Sequence, residues 1–150
     1  MIKKGYEKLI TIVTEAISSG NETPARLAMA CSTGVFVAFS PFPGFHSLML
    51  IAIRWLFGLN LGVLFVFASI NNPWTMVPFY LLDYAFGYWF LHDLLGWSGG
   101  IMISLEKFYG PGSICLWSFI VGGNILGIIA GLISYPIAKR IFGLVYRKQA

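Results

Sequence analysis

The chain has 150 residues, 57% hydrophobic and 11% charged, with a formal net charge of +4. A soluble domain carries about 25% charged residues to face water, yet residues 27–53, 55–82 and 108–138 contain no Asp, Glu, Lys or Arg. Each stretch exceeds the roughly 20 residues that cross a hydrocarbon core of about 30 Å. These facts exclude an ordinary water-soluble domain and predict an all-α membrane protein.

Residues 1–20 read as an amphipathic N-terminal helix. Ile2, Tyr6, Leu9, Ile10, Val13 and Ile17 recur at the helical period, with Lys3, Lys4, Glu7, Lys8, Thr11 and Glu15 opposite. Such a helix lies in the headgroup layer or packs on the end of the bundle. Glu7, Lys8 and Glu15 interrupt any apolar core that a signal peptide would need.

A single transmembrane helical domain is expected over 24–143. Thr23 and Pro24 have the residue types of an N-cap and a first helical position. The apolar run that follows stops near Phe39 at a break containing Pro41, Pro43 and Gly44, and resumes to Phe57. Proline removes a backbone donor and bars helix continuation. Arms this short predict a helical hairpin that is re-entrant or only briefly spanning, with Arg26 and Arg54 near its two open ends.

Gly58 and Asn60 turn the chain into another apolar stretch, 61–70, which meets a second break at Asn71, Asn72 and Pro73. A helix from Pro73 to Leu91 is expected next, so 61–91 reads as one proline-broken crossing. Runs beginning at Gly34 and Gly62, both rich in phenylalanine, precede the two breaks as a faint repeat. Residues 92–112 form a glycine-rich connector, with a short interfacial helix expected over 101–109. The last long apolar helix is expected from Ser113 to beyond Ile141, kinked by Pro136. Residues 144–150 form a basic tail.

Orientation follows from the basic residues. Lys3, Lys4 and Lys8 lie near one end, and Lys139, Arg140, Arg147 and Lys148 near the other, so both termini are expected in the cytoplasm. With no nucleic-acid motif beside them, these clusters read as juxtamembrane anchors, and the partner is the lipid bilayer, not nucleic acid.

Lipid offers no hydrogen bonds, so a broken backbone at membrane depth needs a protein or cavity partner. Broken helices in transporters hold polar solutes at such points, whereas proline and asparagine caps can equally fix a compact bundle. Asp83 stands mid-way along an apolar helix, where a carboxylate marks function by default. Tyr80, Asp83, Tyr84 and Gly87 share one side of that helix. Asp83 is either a proton carrier or the partner in an internal ion pair or hydrogen bond, with Arg54 the foremost candidate cation. Gly123, Gly127 and Gly131 form a small-residue row that admits a close helix, either from the chain's own hairpin or from a second copy in a homo-oligomer. Cys31 and Cys115 are isolated and read as buried thiols. His46 and His92 have no HExxH or His/Asp company, and no nucleophile signature occurs, so neither metal, cofactor nor enzymatic chemistry is expected.

One pattern of residues resembles a known family. It comprises Gly34, Phe36, Phe39, Pro41, Gly44 and His46, then Asn60, then Asn72, Pro73, Trp74, Thr75, Pro78 and Tyr80, then Tyr84 and Gly87. Over about 24–143 this is similar to the bacterial domain of unknown function 2062 family. Gly58 stands where that family tends to carry a basic residue. The resemblance implies a small integral membrane domain of the bacterial inner membrane, and no particular activity. The expected function is a small transporter or flippase-like protein that holds a small polar or anionic group between the two breaks. His46, Asn60, Asn72, Thr75, Tyr80 and Asp83 would line the site. The alternative is a non-catalytic scaffold or subunit that pairs through its glycine row.

Overall fold

A computed structural model describes residues 11, 15, 22–42, 44–104 and 113–149. Thr11 and Glu15 are helical and exposed; the rest of the expected N-terminal helix, and Pro43 of the first break, lie outside the described residues.

The chain is mostly helical: α1 Pro24–Ala38, α2 His46–Phe57, α3 Leu61–Ala68, α4 Met76–Tyr88 and α5 Leu116–Gln149. Thr23 caps α1, its hydroxyl accepting from Arg26 N at 3.3 Å. Ser40 N closes the last turn onto Val37 O at 2.9 Å, and Pro41 offers no donor to continue it. Gly44 then turns the chain at φ 86°, and Gly58 ends α2 at φ 61°, conformations that side chains other than glycine resist.

Three expected boundaries are corrected. Helix α4 starts at Met76, later than Pro73, because Asn72 Oδ1 accepts from Trp74 N (2.9 Å) and Thr75 N (3.2 Å) and holds a turn there. It ends at Tyr88 and passes into a π-helical turn, Trp89–Leu94. The helix expected over 101–109 is replaced at its start by strand β1, Met102–Ser104, which pairs antiparallel with β2, Ser113–Cys115; residues 105–109 lie outside the described residues. The pairs Met102–Cys115 and Ile103–Ile114 unite apolar, partly β-branched side chains across the ribbon. The all-α expectation therefore needs this one small ribbon added, and α5 begins only after it.

The glycines decide the packing. Ideal Cβ atoms at Gly131, Gly127 and Gly123 would stand 3.2 Å from Ser32 O, 3.1 Å from Phe36 O and 2.7 Å from Phe39 O. The pairing runs in opposite directions along the two helices, so α5 lies antiparallel to α1 and meets its backbone almost directly. Ser32 Oγ also donates to Gly131 O at 2.9 Å. The glycine row thus receives the chain's own first arm. On its other side α1 uses Gly34, whose Cβ would stand 2.7 Å from Leu64 O on α3. A second close approach joins α4 to α5 through Gly87 and Gly122, each meeting the other helix's backbone at Ser118 and Asp83. Without bulky side chains between them, the helices gain dispersion contacts along their backbones.

This makes α1 the buried centre, with Leu27, Ala28, Ala30, Cys31, Gly34, Val37 and Ala38 all enclosed. Helix α2 buries only Leu50. Large apolar side chains face outward on α2, α4 and α5, among them Trp55 (84% exposed), Leu81 and Leu132. Arg26 Nη2 donates to Gly58 O (2.7 Å), which draws the open ends of the hairpin together, while Arg54 Nη1 donates to Leu59 O (2.6 Å) and closes the end of α2. Among the described residues, α5 is the one helix long and apolar enough to cross a bilayer.

Candidate functional site

The two helix breaks meet. Asn71, in the second break, donates from Nδ2 to Ala38 O at the end of α1, 2.6 Å away. A carbonyl can only accept, so this bond fixes the nitrogen end of the amide and leaves Oδ1 as an acceptor facing elsewhere. That oxygen is buried and finds no hydrogen-bond partner among the described residues. The Tyr80 hydroxyl, on α4, lies beside Asn71 and within the field of Asp83. Its oxygen is buried too, with the Asn71 side chain in hydrogen-bonding reach of it.

Asp83 follows three residues after Tyr80, close to the same face of α4. Its side chain is fully buried, and neither carboxylate oxygen has a hydrogen-bond partner among the described residues. The opposite wall is Gly123. A Cβ there would stand 2.7 Å from the Phe39 carbonyl oxygen, 3.2 Å from Pro41 Cδ and 3.4 Å from Asp83 Cγ. The end of α1, the first break, α4 and α5 therefore converge on one closely packed junction beside Asp83. The tilted Phe39–Phe79 pair (4.8 Å) and the edge-on Tyr80–Phe119 pair (5.1 Å) pack around it.

The structure separates the sequence-predicted residues into two groups. Tyr80 and Asp83 come together, joined by Asn71, which the sequence singles out only as a break. Asn60, Asn72 and Thr75 serve the backbone instead. Asn60 Oδ1 accepts from Val63 N (3.1 Å) and caps α3. Asn72 caps the turn before α4, and Thr75 Oγ1 donates to Ile70 O (2.6 Å) while accepting from Asn72 N (2.9 Å). His46 opens α2 with its Nε2 buried and without a partner among the described residues. The expectation that Arg54 pairs with Asp83 is corrected: its guanidinium grips the Leu59 and Gly58 carbonyls, where the negative end of the α2 dipole attracts it.

Sequence reasoning missed two contributors: Asn71 as an acceptor and the Phe39 carbonyl. Two adjacent asparagines carry no sign of which one caps and which stays free. A backbone carbonyl carries no sequence signal at all.

Chemically, the junction offers mostly acceptors, with the Tyr80 hydroxyl also a donor. A carboxylate, an amide oxygen, a phenol oxygen and a carbonyl at a helix C-terminus all carry negative charge or partial charge. Among the described residues no three His, Cys, Asp or Glu side chains gather as a metal site, and Cys31 and Cys115 are free and buried. Two surface grooves share no residue with the junction. One, of about 410 Å³, is apolar and lies between α2 and α3 at Leu50, Ile51, Leu61 and Phe65. The other, about 340 Å³, runs along the end of α5 past Lys139, Arg140 and Arg147.

Among protein families, the profile described as uncharacterized protein conserved in bacteria (DUF2062) matches residues 11–150. Comparison with curated proteins and with solved structures gives no match.

Proposed function

We propose that this chain, which belongs to the domain of unknown function 2062 family of bacterial proteins, is a small integral membrane transporter. It holds a small polar solute where its two helix breaks meet. The observation that carries the reading is Asp83, fully buried at that junction with neither carboxylate oxygen partnered among the described residues. Leaving a buried carboxylate unpaired is strongly destabilising. A purely structural bundle gains nothing from retaining one, whereas a solute site needs it.

The membrane placement rests on the outer faces. Trp55, Leu81, Leu132, Ile133 and Ile137 are all exposed, an apolar exterior that hydrocarbon accepts and water does not. At 1.5 Å per residue α5 is about 50 Å long, while α1 and α2 reach only roughly 22 and 18 Å. The hairpin tip lies level with Gly123, about 10 Å short of the start of α5. A re-entrant hairpin beside one full crossing and one broken crossing, α3–α4, accounts for these lengths. Arg26, Arg54, Lys139 and Arg140 gather toward one end, which the positive-inside tendency assigns to the cytoplasm. Both termini then lie there, in the inner membrane.

The test is water access to the junction. In a chain freed of its own thiols by Cys31→Ala and Cys115→Ala, Tyr80→Cys in proteoliposomes should react with a membrane-impermeant thiol reagent from at least one side. Silence from both sides, together with normal behaviour of Asp83→Asn, would sink the transporter and favour the scaffold.

A further inference from the structure

The two cysteines have opposite surroundings. Cys31 lies in the apolar core, where a thiol behaves as a small inert hydrophobe. Cys115 ends strand β2 and immediately precedes α5. It is only 1% exposed, yet its sulfur is ringed by polar groups. The N–H groups of Trp117 and Ser118, the second and third residues of α5, bond to it, the pair that an N-cap side chain takes. The Ser118 hydroxyl reaches it as well; Ser118 is wholly buried, and that hydroxyl has no other partner among the described residues. The His92 ring, in the π-helical turn, is also in hydrogen-bonding reach of the sulfur and packs against the Tyr88 ring at 4.3 Å.

All four groups can donate. Two N–H groups at the positive end of a 34-residue helix, a hydroxyl and an imidazole favour the thiolate over the thiol. Burial raises the Cys115 thiol, and the hydrogen bonds from Ser118, His92 and Trp117 outweigh it, lowering the group from 9.0 to about 7. Residues 94–104 and 113–123 around it carry no Asp, Glu, Lys or Arg, and Asp93, beside His92, is exposed.

Cys115 lies roughly 36 Å along the α5 axis from Lys139, farther than a hydrocarbon core of about 30 Å. With Lys139 at the cytoplasmic end, the sulfur falls at the outer boundary of the membrane, in an oxidising compartment. Gly100 lies directly over it: a Cβ there would stand 2.7 Å from Sγ. Gly99 and Gly100 are both exposed, so at that point the cover is bare backbone.

We propose that Cys115 is a reactive thiol, positioned by His92 and Ser118, that exchanges with small disulfides. Its thiolate attacks one sulfur of R–S–S–R. The Cys115–SR bond forms as the S–S bond breaks, and RS⁻ departs and takes a proton from water. One disulfide replaces another, and excess thiol reverses the step.

The experiment uses the full chain in detergent with Cys31→Ala, so that Cys115 is its one thiol, and the reciprocal Cys115→Ala chain. Each is treated with dithiodipyridine across a range of pH, and released pyridinethione is followed by absorbance. Cys115 should react about tenfold or more faster than Cys31, with a rate midpoint near pH 7 where an ordinary thiol has about 8.5. His92→Gln should move that midpoint up by about one unit. It should slow the reaction about threefold at low pH, since a tenfold loss of thiolate is partly offset by a more nucleophilic sulfur. Ser118→Ala should move the midpoint the same way by less, and it decides alone if His92→Gln does not fold. Failure of Cys115 to react in the folded chain overturns the proposal. So does a midpoint above about 8, a Cys31 that reacts as fast, or a midpoint that the folded variants leave in place.

Discussion

The second helix break treats two neighbouring asparagines in opposite ways. Asn72 is exposed and its side-chain oxygen is occupied twice, by Trp74 N and Thr75 N. Asn71 points inward, uses its nitrogen on Ala38 O, and leaves its oxygen empty-handed beside Tyr80. The same contrast extends outward. Asn60 and Thr75 complete backbone hydrogen bonds, while the Asp83 carboxyl group completes none among the described residues. Satisfied polar groups hold the backbone of a broken helix, and unsatisfied ones mark where something else belongs.

Substitutions can break that contrast. The largest effect is expected at Asp83. Replacing a buried carboxyl group that has no partner among the described residues by a neutral amide should stabilise the protein by about 1–3 kcal/mol, seen as a higher Tm. A lower Tm would mean that Asp83 already has a partner and belongs with the caps. Gly123→Ala should come next, and in the opposite direction. Its methyl would meet the Phe39 carbonyl at 2.7 Å, and backbone cannot step aside as a side chain can. A loss of about 1–3 kcal/mol is expected, read from the same melting curves.

Asn72→Ala removes two acceptor contacts and should cost about 1–2 kcal/mol, because the residue serves the turn and not the junction. An unchanged Tm would remove Asn72 from the caps. The smallest change is expected for Asn60→Ala, about 1 kcal/mol from one lost cap, again read as a lower Tm.

Several of these assignments are readable from residue types alone. Thr23, Pro24, Asn60 and Gly58 announce their helix ends because capping is local: the bonding partners lie within four residues. The breaks at Pro41 and Pro73 are legible for the same reason, and Asp83 stands out because a charge in an apolar run has few explanations. The start of α4 is misjudged from sequence, since Pro73 suits a first helical position and only the Asn72 turn delays it. The ribbon at Met102–Ser104 is also hidden, because three residues make a strand only when a partner strand, here Ser113–Cys115, lies alongside.

By itself the sequence determined the mostly helical architecture, the places where helices stop and the family to which the chain belongs. These depend on periodicity, missing donors and local caps, all of which act over a few neighbouring residues. Tertiary structure alone decided that the glycine row receives α1, that Arg54 turns away from Asp83, that Asn71 reaches Ala38 and Tyr80, and that Asp83 lies against Gly123. Each of those outcomes depends on atoms from distant parts of the chain competing for the same space, and no spacing along the sequence records which of them wins.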